Sequence, residues 1–162
     1  MTESEIMYYI GKLSIHIPKQ NESILNVGSG IGMQHRNHHP YEHNLKKRCN
    51  RYVSVDKKEG ADVQCDVTEG LPFKDKEFNW AWSSEMIEHI SQDKQKLAVD
   101  NILEKTKNAI FTYPDPEHPS FDADPEHTVV VIDWNDYKHL FKVSHIKTKT
   151  GRNVVILKEK NR

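Results

Sequence analysis

The chain has 162 residues, in which 23 Lys and Arg stand against 24 Asp and Glu for a formal net charge of −1. That length predicts a single domain over 1–162 with a core large enough to need no staple, and the balanced charge excludes a chain that is basic throughout, the footprint of a non-specific nucleic-acid binder. Cys49 and Cys65 are too few for a disulfide scaffold and form no C-x-x-C pair, the start from Met1 to Lys12 carries acids where a signal peptide is positive, and no apolar run nears the ~20 residues of a membrane span. The expectation is a soluble cytoplasmic protein with reduced thiols and no membrane partner.

Ile6, Tyr9, Ile10, Leu13 and Ile17 recur at helical spacing behind a Thr2-x-x-Glu5 capping box and stop at Pro18, which predicts an amphipathic helix over 1–18. Short apolar runs of strand length follow at Ser23 to Val27, Arg51 to Val55, Asp62 to Cys65, Phe78 to Trp82, Ala109 to Tyr113, Lys142 to Thr148 and Asn153 to Lys158. A helical stretch between Trp82 and Ala109 offers Leu97, Ile102 and Leu103 to a core, Asp133 to Phe141 reads as a further helix, and Thr150-Gly151 closes a terminal strand pair. Strands alternating with helices predict an α/β fold with a mostly parallel sheet and an antiparallel edge. Trp80, Trp82, Phe111 and Trp134 lie in or beside apolar segments and read as core aromatics.

Charge is unevenly laid out. Residues 34–58 hold seven Lys or Arg, two acids and four histidines; 115–136 hold seven acids and no Lys or Arg; 138–162 hold eight basic residues and one acid. The histidine run His35 to His43 reads as an exposed polar connection, with metal binding the lesser alternative. The Pro-rich acidic stretch repeats Asp115-Pro-Glu-His118 as Asp124-Pro-Glu-His127, too briefly to be structural.

The strongest chemical signal is Ile24-Leu-Asn-Val-Gly28-Ser-Gly30-Ile-Gly32, a buried-type strand running into glycines that let a ligand lie against the backbone. A nicotinamide G-x-G-x-x-G loop would need a small residue where Met33 stands, and a phosphate-cradling P-loop would need a lysine that is absent. Asp56 follows the next strand, placed to accept both hydroxyls of a ribose. Cys65-Asp66-Val67 follows the third strand, with Asp66 able to accept from an exocyclic amine while Val67 packs on the base. The fourth ends in Trp82-Ser-Ser-Glu85-Met-Ile-Glu88-His89-Ile.

In this order the motifs resemble the class I S-adenosylmethionine-dependent methyltransferases, especially the broad group reading V-G-x-G-x-G, then D, then D-x-x-x-L-P-F-x-D-x-x-F-D, then S-E-x-I-E-H. The match runs from about Ile24 to Ile90. The resemblance implies a Rossmann-like, doubly wound sheet of seven strands with the last antiparallel. It implies cofactor contacts from Val27, Gly28, Ser29, Gly30, Gly32 and Lys57, from Asp56 at the ribose, from Asp66 and Val67 at the adenine, and from Ser83 near the methionine amino group. Two departures stand out: Asn79 replaces the usual Asp at a position thought structural, and Pro40 with the histidine run predicts a short or broken helix between Gln34 and Arg51.

Read this way, the chain is expected to move a methyl group from S-adenosylmethionine to oxygen or nitrogen of a small or medium-sized acceptor, with Glu88, His89 and His127 as candidate proton-transfer groups. Absence of the D/N-P-P-Y/F/W tetrapeptide after the fourth strand disfavours DNA-base amino methylation. If Glu85 to His89 open a helix, positions i, i+3 and i+4 put Glu85, Glu88 and His89 on one face, where, with His127, or else His118 or His145, they suit magnesium, manganese or zinc. That pattern resembles the metal site of small-RNA 2′-O-methyltransferases and of ubiquinone-pathway O-methyltransferases, and it also occurs in members not known for metal use. The family places the acidic loop 115–133 over the acceptor pocket, where its charge would favour a neutral or cationic acceptor. Three alternatives stay open: a metal-assisted RNA 2′-O-methyltransferase, a non-catalytic cofactor-binding accessory to a partner subunit, and a dehydrogenase, whose Tyr-x-x-x-Lys pair occurs only in the wrong order as Tyr8 to Lys12.

Overall fold

The computed structural model describes residues 21–29, 45–119, 121 and 127–161. The expected N-terminal helix over 1–18, the histidine run, Gly30, Gly32 and most of 120–126 lie outside the described residues. Seven strands, β1 Ser23–Val27, β2 Arg51–Asp56, β3 Val63–Gln64, β4 Phe78–Ser84, β5 Thr106–Pro114, β6 Phe141–Lys147 and β7 Arg152–Glu159, form one sheet in the order β3-β2-β1-β4-β5-β7-β6. β1 to β5 pair in parallel, and β7 runs antiparallel to both β5 and β6. The expected α/β, Rossmann-like doubly wound sheet is therefore the one formed, with antiparallel pairing confined to the last two strands.

Burial explains the strands that alternation alone would miss. All five residues of β1 are buried, as expected of a central parallel strand covered on both faces. On one face Leu25, Val27, Val55, Ala81, Phe111 and Val155 pack with α1, Gln92–Lys105, through Ala98, Val99, Ile102 and Leu103. On the other, Ile24, Trp80, Trp82, Ile110 and Val154 pack with Leu45, which is helical together with residues 46–48. Asn79 Oδ1 accepts from the Ser23 backbone N at 2.9 Å and from Ser23 Oγ at 3.0 Å, while Asn79 N donates to Ser23 Oγ at 3.0 Å. The side chain that departs from the family pattern thus ties the start of β1 to β4.

Two helical expectations change. Leu97 is 47% exposed, because the core-facing stripe of α1 runs through Gln95, Ala98, Val99 and Ile102 and leaves position 97 on the opposite side. Asp133 to Phe141 is a single 3-10 turn, Trp134–Tyr137, capped by Asp133 Oδ1 accepting from Asn135 N at 3.0 Å. In 3-10 geometry positions i and i+3 eclipse, so Trp134 and Tyr137 both enter the core, and Trp134 Nε1 donates to Tyr113 Oη at 2.8 Å.

Candidate functional site

The order of the sheet reverses between β1 and β4, and a cleft of about 760 Å³ opens at the carboxyl ends of the strands on either side of that point, where ligands of open α/β sheets bind. Val27, Gly28, Asp56, Lys57, Asp66 and Val67 all line it. Gly28 has φ +72°, and a Cβ there would stand 2.3 Å from Met86 Cγ. Gly28 N and Ser29 N donate to Val55 O at 2.8 and 3.3 Å, folding the loop back over the end of β2. Asp56 Oδ1 accepts from Lys58 N at 2.9 Å. Asp66 Oδ1 accepts from Thr68 N at 2.9 Å and Thr68 Oγ1 at 2.7 Å, and those bonds hold its carboxyl below the usual range. The buried hydroxyls of Ser29 and Ser83 have no hydrogen-bond partner among the described residues, as expected where a polar ligand completes the site.

Glu85, Met86 and His89 line the other end of the cleft, and the cluster beside it is assembled from distant segments. β4 stops at Ser84, and Glu85 takes φ +54° while its N–H donates to Thr112 O at 2.8 Å. Ile87–His89 forms one 3-10 turn that buries Ile87 and Glu88 and leaves His89 exposed. The strap from His127 to Ile132 returns across this turn. Thr128 N donates to Glu88 O at 2.6 Å, and Thr128 Oγ1 shares its proton between Ile90 O at 2.7 Å and Glu88 O at 3.0 Å. Gln95, fully buried on α1, clamps the strap: its Nε2 reaches Ile90 O, Thr128 Oγ1 and Val129 O at 3.0 to 3.2 Å, and its Oε1 accepts from Val131 N at 2.9 Å. His127 is thereby brought edge-on to His89, ring centroids 4.6 Å apart. Ligand atoms of Glu88, His89 and His127 all lie within 4.8 Å of one another.

Glu88 is 2% exposed, and neither carboxylate oxygen has a hydrogen-bond partner among the described residues. Burial first, and then the adjacent negative charge of Glu85, push its carboxyl up to about 10. It therefore carries a proton near neutrality unless a cation takes the proton's place. Glu85 itself pairs with Arg152 of β7, Nε to Oε1 2.8 Å.

Solved structures share this architecture. A SAM-dependent methyltransferase from Archaeoglobus fulgidus superposes with TM-score 0.67 at 15% identity, covering 96% of this chain and 94% of that one. DhpI in complex with SAH gives 0.66 at 11% identity over 99% and 89% of the two chains. The small RNA methyltransferase HEN1 gives 0.66 at 12% identity over all of this chain, which spans 26% of that larger protein. The chain has the class I methyltransferase fold. No protein-family model matches the sequence, and no curated protein is similar enough in sequence to be paired with it.

Within this fold, the structure differs from the sequence reading at Glu85. Glu85, Glu88 and His89 do not share a helical face: the helix begins only at Gln92, and the left-handed backbone at Glu85 turns its side chain to Arg152. Glu88, His89 and His127 come together by strap and turn instead. The other histidines considered are engaged elsewhere, His118 Nε2 with Lys149 O at 3.1 Å and His145 Nε2 with Asn153 Oδ1 at 2.8 Å. Part of the acidic loop is neutralised, since Lys147 Nζ lies 2.8 Å from Glu117 and 3.5 Å from Asp115. Sequence reasoning missed Gln95, Thr128 and Arg152. Gln95 left one sign, an amide three residues before Ala98 on an otherwise apolar helix stripe; Arg152 left none.

Proposed function

We propose that this protein is an S-adenosylmethionine-dependent methyltransferase that transfers the methyl group to oxygen or nitrogen of an acceptor seated against His89 and His127. The observation that carries this reading is the meeting of two unlike groups at one cleft: Gly28, Asp56 and Asp66 line it together with His89, and Glu88 and His127 converge on that imidazole. The first set fits the cofactor. Gly28 and Ser29 would lie along its methionine portion with Ser83, whose orphaned hydroxyl would gain a partner, while Asp56 with Lys57 would take the ribose and Asp66 with Val67 the adenine; Gly30 and Gly32 complete the loop in the motif. Bound there, the cofactor supplies a methyl group already activated on a sulfonium.

What remains for the chain is to hold the nucleophile in line, exclude water and accept a proton. Positioning of this kind is worth up to ~7 to 11 kcal/mol, and a general base about 100- to 10,000-fold. Glu88 is a poor base while it holds its own proton. His89 and His127, exposed and half-buried, are the groups able to receive one. A divalent cation, magnesium, manganese or zinc, would displace the Glu88 proton and could orient the acceptor; Glu88, His89 and His127 would hold it.

A small-molecule acceptor is the first choice. A second reading, RNA 2′-O-methylation assisted by metal, is favoured by that same cluster, by the fold shared with HEN1, and by the Lys147 pairing that lessens the repulsion of a polyanion. The test is release of S-adenosylhomocysteine from S-adenosylmethionine with hydroxyl and amine metabolites and short RNAs. Turnover with one acceptor class is expected. Cofactor binding without turnover on any would instead support an accessory to a partner subunit.

A further inference from the structure

The pairing of Glu85 with Arg152 has a chemical consequence that rests on the reading of Glu88, His89 and His127 as a cation site. Glu85 offers a further carboxylate, close enough for its charge to act on Glu88. Its backbone is fixed by the bond from Glu85 N to Thr112 O at 2.8 Å, and it holds a left-handed φ of +54° that is costly for a residue with a side chain. Arg152 is fixed as well: it lies in β7 in register with Pro114, its N–H donates to Thr148 Oγ1 at 3.0 Å, and its Nη1 donates to Gly151 O at 3.2 Å. Nε to Oε1 is 2.8 Å. Both partners of the pair are thus anchored to the sheet, apart from the turn and strap that carry the other three donors.

With both side chains about a quarter exposed, the pair contributes little to stability. Its effect on the donor set is larger. With Glu85 held by the guanidinium, what converges is one carboxylate and two imidazoles. Sets rich in oxygen suit magnesium and manganese, whereas imidazole suits the later ions such as iron, nickel and zinc, and affinity for a given nitrogen and oxygen set rises from manganese through iron to cobalt and beyond. We propose that Arg152 sets the metal selectivity of this site, by withholding Glu85 and so leaving a two-histidine, one-carboxylate set that takes later first-row divalent ions in preference to magnesium. Arg152 is a positioning residue: it touches Glu85 and neither cation nor acceptor.

The test uses the full chain, stripped with chelator, titrated separately with Mg²⁺ and Co²⁺ by calorimetry, with the visible absorption of Co²⁺ as a report on its ligands. The unmodified protein is expected to bind Co²⁺ about 100-fold more tightly than Mg²⁺. Arg152→Gln should raise Mg²⁺ affinity about tenfold and alter the Co²⁺ spectrum as a carboxylate joins, Arg152→Lys should restore much of the original preference by restoring the charge, and Arg152→Gln with Glu85→Gln should abolish the gain. Glu85→Gln alone, which leaves the guanidinium in place, should keep Co²⁺ affinity within about twofold, because Glu85 is outside the donor set. Equal Mg²⁺ to Co²⁺ ratios in the unmodified protein and Arg152→Gln, or a marked loss of Co²⁺ binding in Glu85→Gln, would overturn the proposal while leaving the cation site standing. Failure of the unmodified protein to bind Co²⁺ at all would overturn the cation site, and this proposal with it.

Discussion

The end of the cleft proposed to hold the cofactor takes its residues from segments at or directly after their strands, Gly28 after β1, Asp56 closing β2 and Asp66 after β3, whereas the proposed acceptor end requires the chain to come back. Thr128 meets Glu88 across 40 residues of sequence, and Arg152 arrives from the last strand. The first end is held by the sheet itself and by bonds between near neighbours, such as Asp66 to Thr68. The second is held by the N–H and hydroxyl of Thr128 and by two amides, Gln95 and Gln92, that together register the strap on the turn. It follows that each end should be open to perturbation without the other.

The largest expected effect belongs to the acceptor end. Because Glu88 is raised to about 10 in the folded chain, between the ordinary glutamate range and that value the folded protein keeps a proton that the unfolded chain has lost. Stability of the metal-free protein therefore falls as pH rises through this window, by up to ~1.4 kcal/mol per pH unit. Urea unfolding from pH 5 to pH 9 in chelator should show the decline, and Glu88→Gln should flatten it. At the cofactor end, Gly28→Ala combines a left-handed backbone with a Cβ 2.3 Å from Met86 Cγ, so a loss of about 2 to 5 kcal/mol is expected in urea, together with loss of cofactor binding.

Two finer substitutions separate the ends. Gln95→Leu keeps the volume on α1 but deprives Val131 N of its acceptor and takes one donor each from Ile90 O and Val129 O, which keep Thr128 Oγ1 and Gln92 Nε2, at a cost of ~1 to 3 kcal/mol; hydrogen exchange should speed at Val129 to Val131 while S-adenosylhomocysteine affinity changes by less than about twofold. Asp56→Ala is the mirror case, with a cofactor affinity lower by ~1.5 to 3 kcal/mol and strap exchange unchanged. If Gln95→Leu weakened the cofactor as much as Asp56→Ala, the two ends would be one mechanical unit and the comparison would fail.

The same contrast explains what was legible in the sequence. Strand runs, the glycine loop and the acids at strand ends are local patterns, and Val27, Gly28, Asp56, Lys57, Asp66 and Val67 all fall on the cleft. Ser83 was legible by its place at the end of β4, although its orphaned hydroxyl was not. The grouping of Glu88 with His89 and His127 was foreseen, but by a helical face that does not exist, since spacing cannot reveal the left-handed turn at Glu85 or the guanidinium that draws it aside. Trp134 to Tyr137 misled in another way: apolar residues three apart fit a helix and a single 3-10 turn equally. Gln95 and Arg152 act through partners far along the chain, which no local window contains.

The central claim is that the cleft at the ends of β1 and β2 binds S-adenosylmethionine. Its most direct test is calorimetric titration of the purified chain with S-adenosylhomocysteine, alongside Asp56→Ala. Saturable binding of one ligand per chain, weakened about 10- to 100-fold in Asp56→Ala, is the predicted result; no binding, or equal affinity in the two proteins, would contradict it.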